Sequence, residues 1–323
     1  MINISEITKN YTIDLQRFEL LLNNIKTNYS DFPDKILKYI LETNGKKIRP
    51  IFTYIAANLF GKTNERTDNA ALIIELMHIA SLLHDDVIDE AKIRRQRETV
   101  NYKWNNKTAI LSGDFIFAMA MNFAIKNQEY KLFDIIAPSV MDLSMGEILE
   151  INFSKNFEIN LEKYLEIIFL KTASLISCCF ECGSFSVSAT KDQIAKAKEL
   201  GKIIGIMFQI KDDFLDYTNN RTGKEQGIDI KGNKITLPFI LAYKNMDIEN
   251  KKQIEIFWNK KNKTEKDILL NINRVIEFNG IVESEKFLQN YLLKAENLLN
   301  DFSNKEVVET LRLLLNFLIS REY

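Results

Sequence analysis

The sequence predicts an all-α protein. It contains only 4 Pro and 11 Gly in 323 residues, and its apolar residues recur at helical spacing over long stretches. Two of these stretches end in clusters of aspartate, and acidic side chains at the end of an otherwise apolar helix indicate the wall of a cavity. A chain of this length can bury a substantial core as one large domain or as two.

Composition excludes some classes of function. Lys and Arg number 43 against 44 Asp and Glu, giving a net charge of −1, so no overall field favours nucleic acid. Charges interrupt the apolar runs well short of the ~20 residues of a membrane span, so no transmembrane segment is expected. The first residues lack the pattern of a signal peptide, which predicts a cytoplasmic protein. Cys178, Cys179 and Cys182 are interpreted as small packing residues rather than as a metal or redox site.

A basic turn lies near the N-terminus, in NGKKIRP. The residues before it, 4–43, carry helical periodicity, Gly45 breaks that pattern, and Pro50 suits the first turn of the next helix. Lys46 and Arg49 therefore flank a helix N-terminus, where backbone N–H groups also attract anions. We expect an anion site here rather than a solvated turn.

The first aspartate motif lies in HIASLLHDDVIDEAKIRR, residues 78–95, which holds both histidines of the chain. Asp85 and Asp89 are one helical turn apart, ~6 Å along the axis, and His78 lies on the same line of the helix. Two carboxylates so placed can share divalent cations. The arginines that follow, Arg94 and Arg95, are of the type that binds phosphate in a bidentate manner.

The second motif lies in GKIIGIMFQIKDDFLD. Gln209, Asp212, Asp213 and Asp216 again share one helix face. Because the expected ligands are all oxygens, the metal is predicted to be Mg²⁺ rather than zinc. Mg²⁺ held by few carboxylates completes its shell with water and substrate phosphates, which predicts a diphosphate substrate.

Two further segments carry lysines. Lys171, followed by Thr172, begins an apolar helix and needs an anionic partner, for which a diphosphate is suitable. Residues 217–238 form a long loop after the second motif, with Lys224, Lys231 and Lys234. Its position favours a lid over the cavity.

Taken together, these residues resemble the trans-isoprenyl diphosphate synthases, the polyprenyl synthetase family. The matching pieces, in order, are NGKKIRP, ELMHIASLLHDDVIDEAKIRR, TVN, AILSGDF, GE, KTASL, GKIIGIMFQIKDDFLD, TGK, GIDI and NKITLP. The resemblance implies a single all-α domain over residues 1–323, a large helical bundle around a deep central cavity, and a homodimer. It implies condensation of isopentenyl diphosphate with an allylic diphosphate to an all-trans polyprenyl diphosphate.

The resemblance also implies roles for individual residues. Mg²⁺ ions that bridge the allylic diphosphate are expected on six catalytic aspartates, Asp85, Asp86, Asp89, Asp212, Asp213 and Asp216. The cations that bind this diphosphate are expected to be Arg94, Lys224, Lys234 and the catalytic Lys171, with hydrogen bonds from Thr172 and Gln209. The diphosphate of isopentenyl diphosphate is expected at Lys46, Arg49, His78 and Arg95.

The chain departs from the family pattern at a few positions. This chain has Gln96 and Glu98 where the family usually has Gly and Pro after the arginine pair. It has Glu150 where the family commonly has a Gln after Gly-Glu. Gly residues of the family are replaced by Asn44 and Asn105. The expected metal-binding and cationic positions are all present, so activity is expected.

Product length in this family depends on how far the growing tail can descend below the first motif. Ser81 and Ala80 lie four and five residues before Asp85, where short-chain farnesyl enzymes typically carry an aromatic ring. Small residues here predict a long-chain product, with a farnesyl or geranylgeranyl synthase as the alternative. Residues that could affect the length or form the floor of the tunnel are Met77, Met119, Met121 and Phe123.

Three rival functions are weighed against this one. A terpene cyclase or head-to-head synthase shares the DDxxD motif but lacks the second diphosphate pocket. A non-catalytic subunit of a heteromeric synthase should have lost aspartates, and all six are present. A helical interaction protein would not be stabilised by Mg²⁺ and diphosphate.

Overall fold

The computed structural model describes residues 9–25, 31–42, 45, 47–218 and 227–321. Its first helices, up to the middle of the chain, are α1 (Thr12–Asn24), α2 (Asp31–Leu41), α3 (Ile48–Asn58), α4 (Glu65–Ile88), α5 (Val100–Lys103), α6 (Asn106–Lys126), α7 (Tyr130–Lys155) and α8 (Leu161–Ile168). A π-helical turn (Phe169–Ala173) follows. The later helices are α9 (Ser174–Ser186), α10 (Lys191–Thr218), α11 (Ile228–Lys231), α12 (Leu237–Asn245), α13 (Ile248–Trp258), α14 (Glu265–Glu277), α15 (Gly280–Leu299) and α16 (Lys305–Ser320).

The centre of the bundle is formed by α4 and α9. α4 packs against α3 and α6, and α9 packs against α3, α7 and α10. Leu72, Ile73 and Ile74 of α4 are wholly buried, so this helix buries apolar residues around most of its circumference and needs no amphipathic pattern. A capping box of Asn64 and Thr67 fixes its N-terminus,. The all-α prediction is confirmed.

Two short strands interrupt the helices. β1 (Ile93–Arg94) pairs antiparallel with β2 (Arg97–Glu98), and the turn between them has positive φ at Arg95 (52°) and Gln96 (62°). This two-residue turn matches the right-handed twist of the strands but places side chains in the left-handed region that glycine prefers. The family's glycine at the Gln96 position is thereby explained.

The three cysteines are buried and free, with Cys178 Sγ 3.9 Å from Cys182 Sγ. They pack within α9, as predicted, and burial raises the pKa of the Cys179 and Cys182 thiols.

One described helix, α6, is long and apolar enough to cross a membrane by length and composition alone. No transmembrane segment was expected from the sequence. Because helices of soluble proteins also pass this test, the finding is a weak indication of a span. One side of α6 packs on α4, and its other side exposes Leu111, Met121 and Ile125.

Candidate active site

The first aspartate motif occupies the C-terminal end of α4. Asp85 and Asp86 lie in its last turn and Asp89 caps it. Asp86 is buried, and Arg94 Nε donates to its Oδ1 at 2.6 Å. Asn101 also donates to the carbonyl oxygen of Asp86, at 3.0 Å. The β-hairpin is thus fastened to the motif, and Asp86 is turned towards protein partners.

Asp85 is half-buried and lies among other acids. Burial, with the nearby charges of Glu147 and Asp89, raises the pKa of Asp85 to about 7, although Lys171 partly offsets this. Such gathered carboxylates repel one another when ionised, and a bound cation would relieve the repulsion.

The second motif lies near the C-terminal end of α10. Asp213 is buried and accepts hydrogen bonds from Tyr164 (2.7 Å) and Gln209 (2.8 Å). Thr172 in turn donates to Gln209 at 2.7 Å. Burial, with Asp229 nearby, raises the pKa of Asp213 to about 8. Thr172 and Gln209, predicted to bind diphosphate, here bond to each other and hold Asp213.

The outer aspartates of this motif have different partners. Asp216 accepts backbone N–H groups of Ile228 (3.0 Å) and Asp229 (3.1 Å) at the start of α11. Burial, with Asp229 nearby, raises the pKa of Asp216 to about 6. Asp212 accepts a charge-assisted hydrogen bond from Arg321, whose guanidinium lies 4.3 Å above the Phe208 ring. In the segment that was expected to form a lid, the structure therefore has the short helix α11, whose first backbone N–H groups bind Asp216.

The π turn presents Lys171 and Thr172 towards the acidic side chains. π turns are rare and occur frequently at functional sites. The neighbouring helices approach this turn closely at two glycines. A Cβ on Gly146 of α7 would lie 2.7 Å from Lys171 N, and one on Gly205 of α10 would lie 2.5 Å from Ala173 Cα. Glycine is required at both positions because backbone meets backbone.

Lys171 is held by two glutamates of α7. Its Nζ lies 2.8 Å from Glu147 Oε1 and 2.7 Å from Glu150 Oε2. Burial opposes the charge of Lys171, but Glu150 and Glu147 outweigh it and raise the pKa of this ammonium.

Lys171 and Lys234 link the two acidic motifs. Lys171 partly offsets the raised pKa of both Asp85 and Asp229, and Asp89 and Asp229 both help to raise the pKa of Lys234. Lys234 Nζ lies 3.8 Å from Asp229 Oδ1. A small cavity beside the second motif is lined by several of these groups, Glu150, Tyr164, Lys171, Gln209, Asp213, Asp229 and Lys234.

A second, basic pocket lies beside the first motif, with Lys47, Arg94, Arg95 and Arg97 among its lining residues. Next to it are two further predicted residues. Arg49 Nε is buried and makes no hydrogen bond. His78 is buried, and burial together with Arg49, Arg95 and Arg94 lowers its pKa, so its imidazole is neutral. Glu75 lies in the pocket and balances part of this positive charge.

Two predicted residues, Lys46 and Lys224, lie outside the described residues. The tunnel residues are described. Met77 and Ala80 are buried, and Ser81 is half-buried with its hydroxyl donating to the His78 carbonyl oxygen at 2.9 Å. Among the floor candidates Met119 is buried and Phe123 half-buried, whereas Met121 is 46% exposed and cannot close a tunnel within one chain.

The donors in this region suit Mg²⁺. Across the described part of the chain, no three His, Cys, Asp or Glu side chains converge closely enough to hold a metal by themselves. The side chains of the two motifs that could bind a metal ion are carboxylates. Substrate phosphates normally supply the remaining ligands of Mg²⁺. The residues therefore fit Mg²⁺ brought in with a diphosphate.

Several residues of the site were not predicted from the sequence. Glu147 and Asp229 lie in the matched pieces GE and GIDI, so a signal for them existed. Tyr164 and Arg321 come from helices without a recognised motif, and only their contacts identify them.

Comparison with known proteins identifies the family. Residues 31–274 match the profile of the polyprenyl synthetase family. The chain belongs to the polyprenyl synthetase family. The predicted family, fold class and prenyltransferase activity are thereby confirmed.

Relatives and solved structures agree with this. The octaprenyl diphosphate synthase of Haemophilus influenzae is 32% identical over 249 residues, 76% of this chain and 75% of that protein. The crystal structure of a decaprenyl diphosphate synthase from Rhodobacter capsulatus superposes with a TM-score of 0.93, at 26% identity over 99% of both chains. That of a polyprenyl synthase from Caulobacter crescentus, complexed with calcium and isoprenyl diphosphate, gives 0.91 at 28% identity over 99% of this chain and 98% of the other.

Proposed function

We propose that this prenyltransferase condenses isopentenyl diphosphate with an allylic diphosphate in a Mg²⁺-dependent reaction and releases a long-chain all-trans polyprenyl diphosphate. The observation that carries this proposal is that the described structure has two separate pockets with different linings beside the two aspartate motifs. One is the acidic cavity with Lys171 and Lys234, suited to a metal-bound diphosphate. The other is the basic pocket lined by Lys47, Arg95 and Arg97, suited to a diphosphate without metal,. Arg94, which was expected to bind the allylic diphosphate, also lines this pocket and pairs with Asp86. The solved relative that holds calcium and isoprenyl diphosphate supports the use of a divalent metal.

The proposed mechanism uses these residues as follows. Mg²⁺ would neutralise the departing diphosphate and so favour ionisation of the allylic C–O bond. Asp85, Asp89, Asp212 and Asp216 would hold the metal, because they are at least partly exposed, whereas Asp86 and Asp213 are buried against protein partners. Lys171 would bind oxygens of the diphosphate.

The double bond of isopentenyl diphosphate attacks the allylic cation, a new C–C bond forms, and the departing diphosphate takes the released proton. No side-chain base is needed for this step. The apolar side chains packed between α4 and α6 would exclude water from the cation,.

Small residues below the first motif support a long product. Ser81 and Ala80 are small, so no large side chain at these positions would block a growing tail that descends from Asp85. We expect Ser81→Phe to shorten the product to about farnesyl length, with Ser303→Phe on an exposed loop as the matched control. Chromatography of the dephosphorylated products measures this. Unchanged products from Ser81→Phe would refute the tunnel assignment, and short products from wild-type protein would favour the short-chain alternative.

An exposed apolar surface supports the proposed homodimer. α6 exposes Leu111 (66%) and Ile125 (57%), and α7 exposes Met141 (73%) and Ile148 (60%). A patch of this kind on two adjacent helices is typical of a subunit interface. A dimer would also explain why α6 is apolar enough to resemble a membrane-spanning helix. One side of α6 packs on α4, and the other side would pack against the second subunit.

Light scattering during size-exclusion chromatography tests the dimer. We expect wild-type protein to elute as a dimer and the double variant Leu111→Glu, Met141→Glu as a monomer. Ile13→Glu, at a 71% exposed position on α1, should leave the dimer intact. A monomeric wild-type protein, or one that floats with lipid vesicles, would contradict the proposal.

The chain is further proposed to act in the cytoplasm as one domain, which agrees with its free cysteines,. The deciding assay incubates purified protein with Mg²⁺, labelled isopentenyl diphosphate and dimethylallyl, geranyl or farnesyl diphosphate in turn. Incorporation of label into a longer product is expected. No incorporation, with release of diphosphate from the allylic substrate alone, would favour a terpene cyclase.

A further inference from the structure

The contacts of Lys171 suggest a role for Glu150. The two carboxylates on Lys171 come from consecutive turns of one helix, α7, so both draw its ammonium group towards that helix,. Lys171 is 23% exposed and Glu150 24% exposed in their side chains, which places their ion pair at the edge of the cavity rather than in open solvent. An anion that enters must therefore compete for Lys171.

The two glutamates act on different parts of the site. Glu147 adds to the negative charge around Asp85 of the first motif. Glu150 instead lines the cavity of the second motif. After burial, the charge of Glu150 is the largest influence on the pKa of Lys234, and it also raises the pKa of Asp229. Glu150 thus pairs with Lys171 and lines the same cavity as Lys234.

We propose that Glu150 is a positioning residue that holds Lys171 against α7 in the metal-free protein, so that binding of diphosphate through Lys171 requires a divalent cation. Without metal, an entering diphosphate must displace a carboxylate from Lys171 and approach the charge of Glu150. A divalent ion bound with the diphosphate gives Glu150 another counterion and frees Lys171. The inference rests on the proposed function of this cavity as a diphosphate site.

The test is the affinity for inorganic pyrophosphate, measured by calorimetry in EDTA and again in Mg²⁺. Glu150→Gln keeps the size of the side chain but removes its charge. We expect it to bind pyrophosphate roughly ten-fold more tightly than wild type in EDTA, since loss of one charged hydrogen bond frees Lys171. In Mg²⁺ the two proteins should bind similarly. The matched control is Glu166→Gln on α8, where Glu166 pairs with Lys163 at 2.9 Å and is 50% exposed. It should behave as wild type in both conditions.

Each result bears on the proposal. Equal affinity of wild type and Glu150→Gln in EDTA overturns it. A gain that is as large in Mg²⁺ as in EDTA also overturns it, because Glu150 would then only repel anions. If Glu150→Gln fails to fold, Glu150→Asp keeps the charge but shortens the reach to Lys171, and should bind more tightly than wild type in EDTA. Wild-type protein that binds no pyrophosphate even with Mg²⁺ would refute the proposed function itself.

Discussion

The contact between Gly146 and the π turn predicts the effect of a single methyl group. A Cβ at Gly146 would lie 2.7 Å from Lys171 N and 3.0 Å from its Cα, whereas ordinary contact begins at 3.4 Å. In Gly146→Ala the backbone of Lys171 and α7 must therefore separate by about 0.7 Å. Backbone cannot yield as a flexible side chain would.

Two consequences of this separation can be measured. Misplacement of a catalytic group by ~1 Å can cost about 10²-fold in rate, so we expect a loss of roughly that size in Mg²⁺-dependent condensation. Overpacking of this kind typically costs about 1–3 kcal/mol, so the unfolding temperature should fall by several degrees. The assays are steady-state incorporation of isopentenyl diphosphate and thermal denaturation followed by circular dichroism.

Gly232→Ala provides the matched control. A Cβ there would meet the carbonyl oxygens of Ile228 and Asp229 at 3.4 and 3.6 Å, which is ordinary contact, and Gly232 has φ of −81°. This variant should keep nearly wild-type activity and stability. Full activity in Gly146→Ala, or equal losses in both variants, would refute the reasoning that the π turn needs close backbone contact.

Three further predictions follow from the site and its hairpin. Gln96→Gly should stabilise the protein by about 1 kcal/mol, because φ is 62° at this position,; lower or equal stability in urea denaturation would contradict this. Tyr164→Phe removes a donor from buried Asp213, so the pKa of Asp213 should rise and the pH profile of kcat/KM should move to higher pH; an unchanged profile would count against this role. The third concerns pH. In the folded protein the pKa is about 7 for Asp85 and about 8 for Asp213, whereas an ordinary aspartate has a pKa of 3.8. The folded state therefore binds more protons, and the free energy of unfolding in EDTA should fall by about 1–2 kcal/mol between pH 6.5 and 8. A flat or rising unfolding temperature over that interval would show that these carboxyls are ionised in the folded protein.

The sequence alone predicted what depends on local spacing. Asp85 and Asp89 are one turn apart on α4, and Gln209, Asp212, Asp213 and Asp216 lie near the end of α10, because helical periodicity fixes which residues share a face,. The N-terminal periodicity over residues 4–43 corresponds to two described helices, α1 and α2, the second of which begins at Asp31.

The partners of these residues could not be predicted in the same way. Lys171 and Glu150 are 21 residues apart, and Asp212 and Arg321 are 109 apart. Such pairs depend on how helices dock, which spacing within one helix does not encode. For the same reason, the pairing of Thr172 with Gln209 was not expected from either motif.

The π turn between α8 and α9 places one more residue in a helical turn than an ordinary helix would use,. Deletion of any one residue from 169–173 should thus let α8 and α9 merge into one continuous α-helix with unbroken backbone hydrogen bonds. The flanking helices would keep nearly the same faces, because the turn already accommodates one extra residue, but Lys171 would lose the widened turn that presents it to the acidic side chains,. The number of residues in this turn, and not only their identity, is therefore part of what the sequence must preserve.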